Sequence, residues 1–237
     1  MDLHLQQNYQ KLYKEYLSFT DVLHCKNKYI SAIAWHPLWT GIVACTYVDY
    51  IRYMNIRIDE KETNEILRAV HGSNPVLIWS FVDSLKPKLI LECSREVHAL
   101  NFCPFNENIL IGGCINGQIV VWDLTDKLKK VEEIISLTPS QQMYREVLFS
   151  LMSWMKNTRR SEYVTPAAMS CLQYSPTQCI TSIQWLSPYY EISRIGRYGE
   201  LRAHEVTSLQ FLSSSEDGAV CIWDLQAPIP KQAGLTN

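Results

Sequence analysis

The chain has 237 residues, 47% of them apolar and 19% charged, which is enough apolar matter for a packed core and argues against global disorder. Its 22 Lys and Arg against 24 Asp and Glu leave a net charge of -2, so a strongly basic nucleic-acid-binding domain is excluded. No run approaches the roughly eighteen consecutive apolar residues of a membrane span, and residues 1–10 are too polar for a secretory signal.

Residues 2–17 carry Leu5, Tyr9, Leu12, Tyr13 and Tyr16 on one stripe, so residues 1–20 are expected to hold an N-terminal helix. Three similar units follow. The first has Ile30, Ile33, Trp35 and Pro37, then a strand at 41–45, and closes on Val76-Leu77-Ile78-Trp79 with a fourth strand at 87–93. The second has Val97, Leu100, Phe102 and Pro104, a strand at 109–113, and closes on Ile119-Val120-Val121-Trp122-Asp123. The third has Ile180, Ile183, Trp185 and Pro188, a strand near 208–213, and closes on Val220-Cys221-Ile222-Trp223-Asp224. Alternation puts Leu100 and Phe102 on one face of their strand and Ala99 and Asn101 on the other.

Trp79 and Trp122 are about 43 residues apart, within the roughly 40–45-residue period of propeller blades. The expected class is therefore all-β, a partial WD-repeat β-propeller of about three blades with helical insertions. The propeller spans 21–228, with blades at about 29–93, 96–135 and 179–228, and a tail at 229–237. Insertions fall at 46–74, 136–167 and about 190–206. The first holds a short helical pattern at 60–70, and 158–166 reads as loop. The offset between units also predicts a strand at 21–25 that belongs to a preceding blade. Asn116-Gly117 and Asp217-Gly218 read as two-residue hairpin loops, since both residue types tolerate positive φ. Gly112 and Gly113 read as turn glycines.

In the second insertion, Pro139-Ser140 signals a helix start. Met143, Tyr144, Val147, Leu148, Leu151, Met152 and Met155 then recur at three- and four-residue steps. This apolar stripe either packs on the propeller's own rim or is offered to a partner's groove; Met143, Tyr144, Val147, Leu148, Leu151 and Met155 are the candidate partner-binding residues. Lys127, Lys129, Lys130, Arg159 and Arg160 form either a solvated face or a contact for an acidic partner.

No catalytic, cofactor or metal site is expected. The eight cysteines (25, 45, 93, 103, 114, 171, 179 and 221) include no C-x-x-C pair and read as buried reduced thiols. His98 and His204 lack a local triad partner, and His36, before Pro37, reads as a turn or packing residue. The phosphate-loop pattern is absent. The repeat-equivalent Trp35, Trp79, Trp122, Trp185 and Trp223 are expected to pack between sheets.

Three stretches carry a resemblance: Glu15-Tyr16-Leu17-Ser18-Phe19-Thr20-Asp21, Ile33-Ala34-Trp35-His36-Pro37 and Gly112-Gly113-Cys114-Ile115-Asn116-Gly117-Gln118. With Leu77-Ile78-Trp79-Ser80-Phe81 and Ile183-Gln184-Trp185-Leu186, they resemble axonemal dynein intermediate chains of the inner-arm type, over about residues 14–228. The resemblance implies a non-catalytic scaffold that binds dynein heavy and light chains and supports ciliary movement. It also implies a place in the cytoplasm, the cytoskeleton and the axoneme of the cilium or flagellum.

The first unit departs from the pattern by ending Trp79-Ser80, and no Gly-His opens any unit, so the hydrogen-bonded tetrad usual in WD repeats is incomplete. The alternative is a generic WD-repeat adaptor such as a ubiquitin-ligase substrate receptor. Against it, Thr125 and Gln226 stand where such receptors often place Arg. Three blades cannot close a ring, so self-association through open propeller edges is expected.

Overall fold

Apolar residues at every second position make strands, and among the described residues of the computed structural model there are fourteen. It describes residues 16–26, 28–49, 74–128, 138–141, 143–144, 147, 162–201 and 208–226. The first blade pairs β1 (Lys28–Trp35), β2 (Ile42–Asp49), β3 (Val76–Ser80) and β4 (Leu89–Leu91) in that spatial order. The second begins with β5 (Val97–Phe102), β6 (Ile109–Cys114) and β7 (Ile119–Asp123). Beyond the insertion come β8 (Glu162–Val164) and β9 (Ala168–Met169). The third blade starts at β10 (Ile180–Trp185), a hairpin of β11 (Tyr190–Ile192) and β12 (Tyr198–Glu200) intervenes, and β13 (Gln210–Ser215) and β14 (Val220–Asp224) complete the described sheet.

Register makes the units equivalent residue by residue. Val43 faces Trp79, Leu110 faces Trp122, and Phe211 faces Trp223. The first strand of every blade carries a register shift: between Ile30 and Ile33, between Val97 and Ala99, and between Ile180 and Ser182.

The core lies between blades. Ala34, Ala44, Val76 and Ile78 of the first blade pack against Phe102, Leu110, Val120 and Trp122 of the second. Ala99, Ile111 and Ile119 on the opposite face pack against Ile180, Ile183, Trp185 and Phe211. The alternation of β5 is therefore realised: Leu100 and Phe102 face the first blade, Ala99 the third.

Gly112 and Gly113 are not turn glycines; both lie inside β6. A Cβ on Gly113 would stand 2.4 Å from Ile180 Cγ2, and one on Gly112 would stand 2.9 Å from Trp122 Cζ3. At Gly113 the third blade comes too close for any side chain, and at Gly112 the space is taken by Trp122 and Val97 of the same sheet. The hairpin turns also differ from expectation. Among the described residues only Asp126 is a non-glycine with positive φ, so Asn116 and Asp217 do not adopt it. Instead Gly117 and Gly218 do, at φ 82 and 81, as in a type I turn closed by a left-handed glycine.

The second blade acquires its fourth strand late. After Asp123 the chain turns inward and buries Leu124 and Leu128, so β7 is left for β9 to pair, beyond the 96–135 range expected for that blade. On the way, the 158–166 stretch is not all loop: β8 adds to β4 in parallel, as a fifth strand on the first blade. Residues 21–25 form a turn and not a strand. The Asp21 carboxylate accepts Leu23 N–H at 2.9 Å and the Asp21 carbonyl accepts Cys25 N–H at 2.9 Å, a local bonding that competes with sheet pairing.

Residues 1–15, 60–70 and 229–237, which carry the expected N-terminal helix, the short helix and the tail, lie outside the described residues. Tyr16 and Leu17 are not helical. Trp79, Trp122 and Trp185 are buried between or within sheets, but Trp35 is exposed, and among the described residues no sheet packs on its face of β1. Cys171 is also exposed and Cys25 and Cys221 half-buried; all eight thiols are free.

Gly113→Ala is expected to cost about 1–3 kcal/mol by overpacking against Ile180. Gly41→Ala, where nothing lies within 4 Å of the added methyl, should change stability by less than about 0.5 kcal/mol. Urea unfolding of the two variants checks the difference.

Candidate partner-binding surface

The chain leaves the sheet at Asp123 and re-enters one at Glu162, with the second insertion in between. Its described residues Pro139, Ser140, Gln141, Met143, Tyr144 and Val147 are helical. Met143, Tyr144 and Val147 are exposed large apolar residues. Leu148, Leu151, Met152 and Met155 lie outside the described residues. At the root of the excursion Lys127 Nζ donates to Glu162 Oε1, which ties the end of the second blade to β8 on the first. Of the basic candidates, Lys127 is thus an ion-pair partner; Lys129, Lys130, Arg159 and Arg160 lie outside the described residues.

A second apolar surface was not singled out from sequence. Trp35, Phe81, Leu38 and Leu85 are exposed near one end of the first blade. Phe19 stacks on Phe81 and tilts against Trp79, both with ring centroids 5.3 Å apart. With Cys25 it covers Val43, Cys45, Tyr47, Leu77 and Ile90 on the outer half of that face. The signal missing from the sequence is that 16–26 folds back as an irregular cover.

The polar groups between sheets are structural. His36 Nδ1 accepts from Trp39 N–H at 3.0 Å, the ring stacks on Trp39 at 4.7 Å, and burial holds its pKa below the usual value, so it serves the turn as a neutral acceptor. His98 stands 4.0 Å from Glu96 Oε2. The neighbouring Cys179 thiol and the Glu96 carboxylate raise its pKa to about 9 against the opposing effect of burial. Asn101 Nδ2 donates to the Ile183 carbonyl at 2.9 Å, which joins the second and third blades. Partners so far apart in sequence leave no local signal. Among the described residues no group of three His, Cys, Asp or Glu could hold a metal ion.

The family model of the dynein axonemal intermediate chain 3 WD40 domain matches residues 11–235. The chain belongs to that family. It is 32% identical to dynein axonemal intermediate chain 3 of Mus musculus over 92% of its own length and 22% of the relative's. To the Danio rerio protein of the same name it is 31% identical, over 94% of this chain and 21% of that one. The chain thus spans about a fifth of the length of these curated relatives. Among solved structures, a chain of "COPII on membranes, outer coat vertex" aligns with a TM-score of 0.43 at 12% identity, over 84% of this chain and 34% of that one.

In this dynein intermediate-chain WD40 domain, as in its non-catalytic family, the repeat residues serve the scaffold. Trp223 Nε1 donates to Ser213 Oγ at 2.7 Å and Asp217 Oδ2 accepts Thr177 N–H at 3.0 Å, two links of the otherwise incomplete tetrad. The Asp123 and Asp224 carboxylates accept from Thr125 N–H and Gln226 N–H, at 2.9 and 2.8 Å. Both bonds close the turn that follows the Trp-Asp pair.

The raised pKa of His98 sets a pH dependence. A folded pKa above the unfolded value contributes stability that is full below about pH 6.5 and is lost as pH rises through about 9. The melting temperature of the intact chain should fall across that window, and His98→Gln should flatten the fall. An equal decline in both would contradict this assignment.

Proposed function

We propose that the chain is part of a non-catalytic scaffold subunit of an inner-arm axonemal dynein, which binds dynein heavy and light chains and supports motor assembly and ciliary or flagellar movement. Its place is then the cytoplasm, the cytoskeleton and the axoneme. The observation that carries this reading is the family match across nearly the whole chain. The fold suits the role. Sheets packed face to face make a rigid platform, and insertions on its rim supply surface that varies without disturbing the core.

The helical stripe of the second insertion is the contact this reading assigns to the partner. Met143, Tyr144 and Val147 are its described part and are solvent-exposed. Leu148, Leu151 and Met155 continue the same stripe by spacing. Methionine and leucine on one helical face fit an apolar groove on a dynein subunit.

Tagged chain purified from ciliated cells should bring down dynein heavy chain; recovery of ubiquitin-ligase adaptors without dynein would favour the generic adaptor. Leu148→Asp with Leu151→Asp should lower heavy-chain recovery about tenfold or more, as loss of an interface anchor does, with thermal unfolding unchanged. Collapse of the fold would show instead that the helix packs on its own blade.

A further inference from the structure

Two of the eight thiols touch. Cys93 Sγ and Cys114 Sγ stand 3.8 Å apart, inside the core shared by the first and second blades. Cys93 lies in the short linker between β4 and β5, and Cys114 ends β6. Neither backbone is free to drift. On one side of Cys93 the Glu92 carbonyl accepts Trp122 Nε1–H at 3.0 Å, and on the other the Glu96 carbonyl accepts Ile115 N–H at 2.9 Å. Cys114 N–H donates to the Gln118 carbonyl at 2.8 Å, and its own carbonyl accepts Gly117 N–H at 3.1 Å. A disulfide needs its sulfurs about 2.05 Å apart, a closure that rotation of the two side chains on these fixed backbones covers.

The two thiols are not alike. Cys93 is followed by Ser94 and Arg95, both exposed, whereas Cys114 is 0% exposed. Local opening of that one turn brings a small solute to Cys93, and Cys114 is then reached through Cys93. The hydrogen bond from Cys114 holds the Cys93 thiol below its usual pKa against the effect of burial, helped by the Arg95 and Ser94 N–H groups and the Arg95 charge. The same hydrogen bond, together with burial, holds Cys114 above its own. A thiol of lowered pKa beside a second thiol is the arrangement of a reactive cysteine with its resolving partner.

We infer that Cys93 and Cys114 form a redox modification site, at which a small hydroperoxide oxidises Cys93 and Cys114 resolves the product to a disulfide. The Cys93 sulfur attacks one peroxide oxygen, the O–O bond breaks, and the leaving oxygen departs with the Cys93 proton as water or an alcohol. Cys93 is then a sulfenic acid. The Cys114 sulfur attacks Cys93 Sγ, the S–O bond breaks, and hydroxide leaves with the Cys114 proton as water. Two thiols are oxidised and one hydroperoxide is reduced. The new bond pins the linker between the blades to the end of β6, so oxidation fastens the seam that reduced chains hold by packing alone. This chemistry is independent of the partner assigned to the domain above.

The full chain treated with hydrogen peroxide, quenched by alkylation and mapped by peptide mass spectrometry tests it. The folded chain should yield one cross-link, Cys93 to Cys114, reversed by dithiothreitol, while the same treatment in urea gives mixed pairings. The oxidised chain should melt at a higher temperature than the reduced one, as closure of this loop requires. In Cys114→Ser a sulfenic acid should persist at Cys93 and be trapped by dimedone; in Cys93→Ser none should form at Cys114. Oxidation of the exposed Cys171 with Cys93 and Cys114 left reduced would overturn the inference. So would a native cross-link from either cysteine to a different one, or dimedone labelling of Cys114 in Cys93→Ser. Thermal melting checks that the variants fold, and the wild-type map decides the question without them.

Discussion

The approach of β10 to β6 at Gly113 sets the spacing on which the other contacts rest. With no Cβ in the gap, Ile180 can sit against the β6 backbone, and Ile183, Trp185 and Phe211 are then held against Ile111 and Ile119. On the opposite face of β6, Gly112 leaves room for the Trp122 ring and for Val97, both from neighbouring strands of the same sheet. One glycine thus lets the third blade approach the middle sheet closely, and the other lets the Trp122 ring lie across the neighbouring strand of its own sheet. Because strand side chains alternate, a one-residue slip of register would exchange the two faces. The repeated bulge in β1, β5 and β10 bends each first strand at an equivalent place.

Polar groups at the seams add specificity to this apolar packing. Ser31 Oγ donates to the Val97 carbonyl at 3.0 Å, Asn101 reaches Ile183, and Trp122 Nε1 donates to the Glu92 carbonyl at 3.0 Å. Each bond crosses a seam or fixes its edge, and none would survive sliding of one sheet over the next. Seams fixed in this way hold the stacked sheets as one rigid unit.

Much of the architecture was legible in the sequence because a period of about 43 residues is a long-range signal carried by conspicuous side chains. Trp79, Trp122 and Trp223 do occupy equivalent positions opposite Val43, Leu110 and Phe211. What escaped was set by tertiary demand. A Gly-Gly pair reads as a turn unless one knows that Ile180 lies above it. The two residues of β9 carry too little pattern to be recognised as the outer strand of a sheet whose third strand ends at Asp123. Asp21 diverts its segment into a turn through its own carboxylate, a local effect that hydrophobic periodicity cannot register. The helical stripe of the second insertion was legible as a pattern, since spacing alone reveals an amphipathic face, but spacing does not say what that face meets.

The parallel strand β8 has a consequence for the order in which the polypeptide acquires structure. The first blade receives its fifth strand only from residues 162–164, and the second receives its outer strand only from 168–169. During synthesis from the N-terminus, neither sheet is complete until some forty residues beyond Asp123 have been made, roughly two to eight seconds at ordinary elongation rates. Until then β4 and β7 both present bare edges. The domain therefore matures by a late, simultaneous closure of two blades and not one blade at a time, and chaperone demand should be concentrated in that interval.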